Sequence, residues 1–276
     1  MKRIVLFFGT LVLSMSIFAQ TNKVKEVWQT DAKLQTPESV LYYPKDNILF
    51  VSNIAGSPTG KDNTGFISKV DLEGNIVDLK WVEGISAPKG MAVNNGKLYV
   101  SNIDELVEID IKKNEIINRY PAAGAKFLND VAVDRNGNVY VSDMGTNKIW
   151  YLHSGLFEIW FDTDLQNPNG LYAEKDNLLV GNKDYILKIN YQTKKSSKYI
   201  ENTGSIDGLV PTGTGAYLIS DWKEHVYLVK VGAERELIFA SGKEGVNAAD
   251  IEYIPSKKIL LIPTFFNNRV VAYKLP

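Results

Sequence analysis

Apolar and polar positions alternate along this chain in short runs with a period of two. In residues 128–143, LNDVAVDRNGNVYVSD, Val131 and Val133 alternate with small or polar residues. Asn136-Gly137 then turns the chain, and Val139 and Val141 alternate back. This pattern predicts a half-buried antiparallel hairpin. Asn129 and Asp143 fall at its two open ends, away from the turn. Asn is a poor strand former, so its place at the head of a strand calls for a reason.

The pattern recurs six times. The other copies are PESVLYYPKDNILFVSN (37–53), PKGMAVNNGKLYVSN (88–102), PNGLYAEKDNLLVGN (168–182), IDGLVPTGTGAYLISD (206–221) and AADIEYIPSKKILLIPT (248–264). Counted from Glu38, Lys89, Asn129, Asn169, Asp207 and Ala249, the offsets are 51, 40, 40, 38 and 42. A period near 40 with several short strands per unit predicts a β-propeller. Two more strand-like runs follow the hairpin of each unit; in the third they are KIWYL from Lys148 and a run over 156–161. Long amphipathic helices are absent, which argues against a parallel α/β fold. The expected fold is all-β: a six-bladed β-propeller with four antiparallel strands per blade. The last unit stops after its third strand, RVVAYKLP. The unassigned run KVKEVWQT (23–30) is therefore expected to complete that blade and close the ring, because an open edge is an aggregation template.

Composition changes this picture little, except at the N-terminus. The 276 residues are 45% hydrophobic and 23% charged, with a formal net charge of −1. Such a balance points to neither nucleic acid nor an anionic membrane. Lys2 and Arg3 precede an apolar run from Ile4 to Phe18, followed by Ala19-Gln20. This reads as a secretory signal peptide over 1–19, with the propeller over 20–276 and an exported, periplasmic or extracellular product. The run is too short and too interrupted for a membrane span. The chain has no cysteine, so export brings no disulfide framework.

Aligned, the repeats form columns. The first, Glu38, Lys89, Asn129, Asn169, Asp207 and Ala249, precedes the innermost strand of each blade. The second, Asn53, Asn102, Asp143, Asn182, Asp221 and Thr264, follows the next strand. Antiparallel pairing puts both at one mouth of the central channel, with the first column nearer the axis. Oxygen donors from Glu, Asp and Asn suit a hard divalent cation, calcium above all. The two histidines, His153 and His225, fall at third-strand runs and read as surface or packing residues. A plainer reading stands beside each column. Gly90, Gly170 and Gly208 would make the first a set of turn residues, and Asn or Asp after a strand would make the second a set of loop caps, with Asp143 and Asp221 the exceptions. Trp222, next to Asp221, is a candidate substrate wall. The loop from Ile54 to Gly65 is expected at the same mouth.

At these residues the chain resembles the senescence marker protein/gluconolactonase family, and more distantly the paraoxonases. The resemblance rests on Glu38 in PES, Asn129 in FLND, Asn169 in NPNG and Asp207 in IDG. It implies a divalent cation held by Glu38, Asn169 and Asp207 with Asn129 beside them, hydrolysis of a small-molecule lactone or ester, and Asp207 as general base. Asn129, Lys89, Asp143, Asp221 and Trp222 are the candidate substrate contacts. SDMGTNKIWYL and NNRVVAYKL also resemble the NHL repeat, which leaves open a non-catalytic binding propeller with a structural or vacant metal site. Lys89 fits a cation site least well. Its long stem is expected to carry the charge out to solvent, where it meets an anionic substrate. Mass spectrometry of the exported protein should find its N-terminus at or near Gln20; retention of Met1 would remove the leader.

Overall fold

Short amphipathic strands joined by tight turns bury both faces only when sheets stack on one another. The computed structural model, which describes residues 23–276, solves that problem with six sheets of four antiparallel strands each. The leader expected over 1–19 lies outside the described residues. The innermost strands are Pro37–Tyr43, Pro88–Asn94, Leu128–Val133, Leu171–Ala173, Leu209–Pro211 and Glu252–Ile254, here defining blades 1 to 6. In blade 3 the sequence continues outward through Val139–Asp143, Lys148–His153 and Leu156–Phe161. No helix among the described residues is long and apolar enough to cross a membrane.

The blade 3 hairpin pairs Val131 with Val141 and Val133 with Val139. Its turn is longer than the Asn-Gly dipeptide suggests. Asp134 closes it, accepting the backbone N–H groups of Asn136 at 2.8 Å and Asn138 at 3.0 Å. Gly137 takes the left-handed conformation, with φ 85°, and Asn136 does not. Asp134 therefore takes over work that the dipeptide alone would do in a two-residue loop.

The core lies between blades. Tyr43, Phe50, Ile67 and Trp81 of blade 1 pack on Met91, Leu98, Val107 and Ile109 of blade 2. Comparable clusters fill the 2/3, 3/4, 4/5 and 5/6 junctions. The sixth, with Val40, Leu49, Val51, Ile254, Leu261 and Ala272, joins blade 6 to blade 1. Each blade thus depends on two neighbours.

The last blade mixes the two ends of the chain. Lys25–Gln29 pairs antiparallel with Val270–Lys274 as its outermost strand. Thr30 extends the join: its N–H donates to Val270 O, and its Oγ1 accepts the Val270 N–H. Deleting residues 20–31 would bare the edge of Val270–Lys274. The truncated protein is expected to aggregate on heating and to elute early in size exclusion; a monodisperse product of unchanged melting temperature would show that the strand is dispensable.

Candidate functional site

The first column converges as its register predicts. Glu38, Lys89, Asn129, Asn169 and Asp207 are all buried and line one cavity of about 590 Å³ at the channel mouth. Ala249, also buried, completes the column. Gly90, Gly170 and Gly208 are absent from the left-handed residues, so the turn-residue reading does not describe them. Instead, a Cβ on Gly90 would lie 2.5 Å from Asp130 Cα. One on Gly208 would lie 2.6 Å from the Ile251 nitrogen. Glycine is there because neighbouring inner strands approach too closely for a side chain.

The floor of the cavity is electrostatically incomplete. Asn169 Nδ2 donates to Asp207 Oδ1 at 2.6 Å, but Asp207 Oδ2 and Glu38 Oε2 are buried with no hydrogen-bond partner. Burial pushes Asp207 up to about 8, helped by the charge of Asp250. It raises Glu38 well above the carboxylate range, with Asp207 and Asp250 adding to the effect. Both shifts record negative charge that lacks an adequate counter-ion.

Lys89 does not reach solvent. It is 1% exposed, and its ammonium donates to Pro58 O at 3.1 Å and Ala87 O at 3.0 Å, 4.6 Å from the Phe127 ring centre. Burial lowers it to about 8, opposed by the nearby Glu38 charge. The expected outward pose is therefore wrong. Two carbonyls and an aromatic face offer the ammonium a local cage, so the stem has no need to extend. Through Pro58 the lysine also pins the 54–65 loop, from which Ile54, Gly56 and Pro58 line the cavity.

The second column is mostly scaffold. Asn53 accepts the Gln35 N–H, Asn102 that of Ala87 and Asn182 that of Gln166, each at 2.8–3.0 Å. Each side chain thus ties the end of the second strand to the segment leading into the first. Asp143 behaves the same way, against the expectation that it contacts substrate. It is fully buried, accepts the backbone N–H groups of Phe127 and Gly145 and the hydroxyl of Thr146, and does not line the cavity. Asp221 is different. It lines the cavity wall, caps its own loop through the Glu224 and His225 N–H groups, and meets His225 Nδ1 at 2.8 Å. His153 is exposed at the end of its strand, against Asn138.

A third column went unread in the sequence, Trp222 excepted. The residues directly after the second column are Ile54, Ile103, Met144, Lys183, Trp222 and Phe265, apolar in five of six units. Ile54, Met144, Trp222 and Phe265 form an apolar collar on the cavity. Ile103, Trp222 and Phe265 hold left-handed backbones, with φ 52°, 63° and 50°. For large side chains that conformation costs roughly 1–2 kcal/mol each. Asp130, Asp250 and Glu252 were also missed. They lie farther along the channel, Asp130 buried and Asp250 and Glu252 half-buried, and line a second hollow of about 380 Å³. Asp130 accepts the Leu171 N–H at 2.5 Å, Asp250 the Ser39 hydroxyl at 2.6 Å, and Glu252 the Tyr42 N–H at 3.1 Å, each across a blade junction. Asp130 directly follows Asn129, so reading one residue further along the repeats would have found it.

Fold and site together define a six-bladed β-propeller with an oxygen-donor floor under an apolar collar. No sequence-family model matches the chain, and no curated protein matches it. Solved structures share its fold. A gluconolactonase from Xanthomonas campestris superposes with a TM-score of 0.68 at 16% identity, over 88% of this chain and 87% of the other. Virginiamycin B lyase from Staphylococcus aureus, in a structure with quinupristin, gives 0.65 at 11% identity, over 93% and 100%. A chain of the nidogen/laminin complex gives 0.65 at 16% identity, over 77% and 87%.

The buried carboxyls make stability depend on pH. Asp207 sits at about 8, and Asp130 and Glu252 at about 7, against roughly 4 in an unfolded chain. The folded state holds the extra protons between those values. Stability present below about pH 4 is therefore lost as pH rises through 7 and 8. Lys89 has the opposite sign, but its relief comes only above about pH 8. In chelator, the melting temperature should fall between pH 5 and pH 8. A profile without slope in chelator would mean that these carboxyls are compensated.

Proposed function

We propose that the chain hydrolyses lactones or related esters, with a divalent cation, calcium by its donor set, held at the head of the channel. The observation that carries this reading is the pair of buried, unpartnered carboxylate oxygens, Glu38 Oε2 and Asp207 Oδ2, on the floor of an open cavity. Buried charge without a partner is strongly unfavourable, and a hard cation is a partner that oxygen donors accept. Glu38 and Asp207 would hold it through carboxylates, and Asn169 and Asn129 through carboxamide oxygens. Asn169 gives its NH₂ to Asp207, which leaves its oxygen available. Among the described residues no three acidic, His or Cys side chains gather as a metal cluster. A site half built of carboxamides has no such triad, and calcium tolerates neutral oxygens and water.

When bound, the cation would polarise the substrate carbonyl and stabilise developing oxyanion charge. Asp207 takes the proton from the attacking water, which requires its ionised form. Positive charge beside it favours that form and offsets the burial that now raises it. General-base help of this kind contributes roughly 10²–10⁴-fold. The fold shared with a gluconolactonase supports the reading, and the leader read from residues 1–19 would put the reaction outside the cytoplasm.

Lys89 favours a second reading. A buried ammonium near Glu38 neutralises part of the floor, as a binding propeller without turnover would require. Glu38→Gln and Asp207→Asn each remove one negative charge at nearly constant shape. Each should weaken calcium binding at least tenfold by calorimetry, about 1.4 kcal/mol, and abolish lactone hydrolysis while the blades stay folded. Calcium affinity unchanged in both variants would hand the site to the second reading.

A further inference from the structure

Seven large hydrophobic side chains stand well exposed among the described residues. Five of them, Val27, Val77, Leu156, Ile159 and Val231, are aliphatic and lie on outer strands or turns. The other two are aromatic. Trp222 is 40% exposed and Phe266 61%, and both line the cavity. Their ring centres lie 6.3 Å apart, edge to face. Buried Phe265 backs them, 5.4 Å from Trp222 and 4.8 Å from Phe266.

The support of this wall is rigid. Asn247 Nδ2 donates to the Trp222 carbonyl at 2.9 Å. Asn268 ends the short helical turn Phe265–Asn267 in a left-handed conformation, and its Oδ1 accepts the Thr36 N–H at 2.9 Å. Strained backbone at Trp222 and Phe265 keeps the rings on the cavity side. Water-exposed rings are unfavourable, and here two of them, packed on buried Phe265, stand beside a polar floor. That arrangement suits a ligand with a polar end and an apolar body.

We propose that the ligand of this cavity carries an alkyl tail or an aryl ring that lies on Trp222 and Phe266 while its polar end reaches the Glu38–Asp207 floor. The inference rests on the hydrolase reading only for the nature of that polar end, a lactone or ester carbonyl. The indole N–H of Trp222 is the single donor the two rings provide and neither accepts, so most hydroxyls of a polyhydroxylated sugar lactone would find no partner on them, and tailed or aryl lactones are the preferred class.

The test measures affinity by calorimetry, with saturating calcium, in the wild type and in the hydrolysis-deficient Asp207→Asn variant. The probes are δ-lactones with no tail, a short alkyl tail and a long one, an aryl-fused lactone and glucono-δ-lactone. Affinity should rise on the order of threefold per methylene until the rings are covered, and glucono-δ-lactone should bind more weakly than any tailed probe. Trp222→Ala and Phe266→Ala should each flatten the dependence on tail length, and Trp222→Phe should restore most of it. Affinity independent of tail length in both proteins would overturn the inference. Wild-type hydrolysis of tailless and sugar lactones as fast as of tailed ones would also overturn it, while leaving the hydrolase reading intact. Tail-dependent binding without hydrolysis of any probe would uphold the apolar wall and sink the hydrolase reading.

Discussion

An innermost strand in a radial sheet has one edge that no strand of its own blade can pair. Each such strand here bonds to its second strand on one side and faces the channel or the next blade on the other. Backbone donors on that side must still find acceptors. The protein meets this need largely with side chains. The Leu171 N–H goes to Asp130, the Tyr42 N–H to Glu252, and the Ala249 carbonyl to the Ser220 hydroxyl. Backbone bonds add to them, from the Asp250 N–H to Glu38 O and from the Leu128 N–H to Ile103 O. Carboxylates are strong acceptors, so the same requirement that holds the blades together fills the channel with negative charge.

That excess charge shapes the mouth. Five acidic side chains gather around the channel, with Glu38, Asp130 and Asp207 buried and Asp250 and Glu252 half-buried, and Lys89 is a buried cation beside them. Asp130, Asp250 and Glu252 accept hydrogen bonds across blade junctions. Glu38 and Asp207 keep oxygens with no partner. Hydrogen-bonded and unpartnered carboxylates therefore sit on different blades around the same channel. The glycines at 90, 170 and 208 make this possible by letting adjacent inner strands approach closely.

Much of this was legible in the sequence because repeats convert periodicity into geometry. A period near 40 set the number of blades, and the alternation around Val131 and Val141 set the register. The first column could be placed at the mouth because strand direction fixes which end of each hairpin faces it. Side-chain pose was not legible. Nothing in PKGMAV says that Lys89 will fold back onto Pro58 O and Ala87 O rather than extend, since those acceptors come from tertiary contacts. Nor did Asp143 announce its role, because an Asp that caps a loop and an Asp that meets a ligand look alike until its acceptor sites are assigned. The apolar collar was present as a column and, Trp222 aside, went unread, because hydrophobic residues after a strand resemble ordinary core.

The pairing of Lys25 with Lys274 joins nearly the two ends of the chain. Blade 6 is thus the blade that no contiguous stretch of chain can assemble alone, since it needs strands from both ends. Until both are in place the faces of blades 1 and 6 that will meet across Val40, Val51, Ile254 and Leu261 remain open. Folding of this topology is dominated by long-range contacts and is correspondingly slow. A ring fastened by two distant strands is also a latch: whatever frees Lys25–Gln29 opens blade 6 and loosens its junction with blade 1 together.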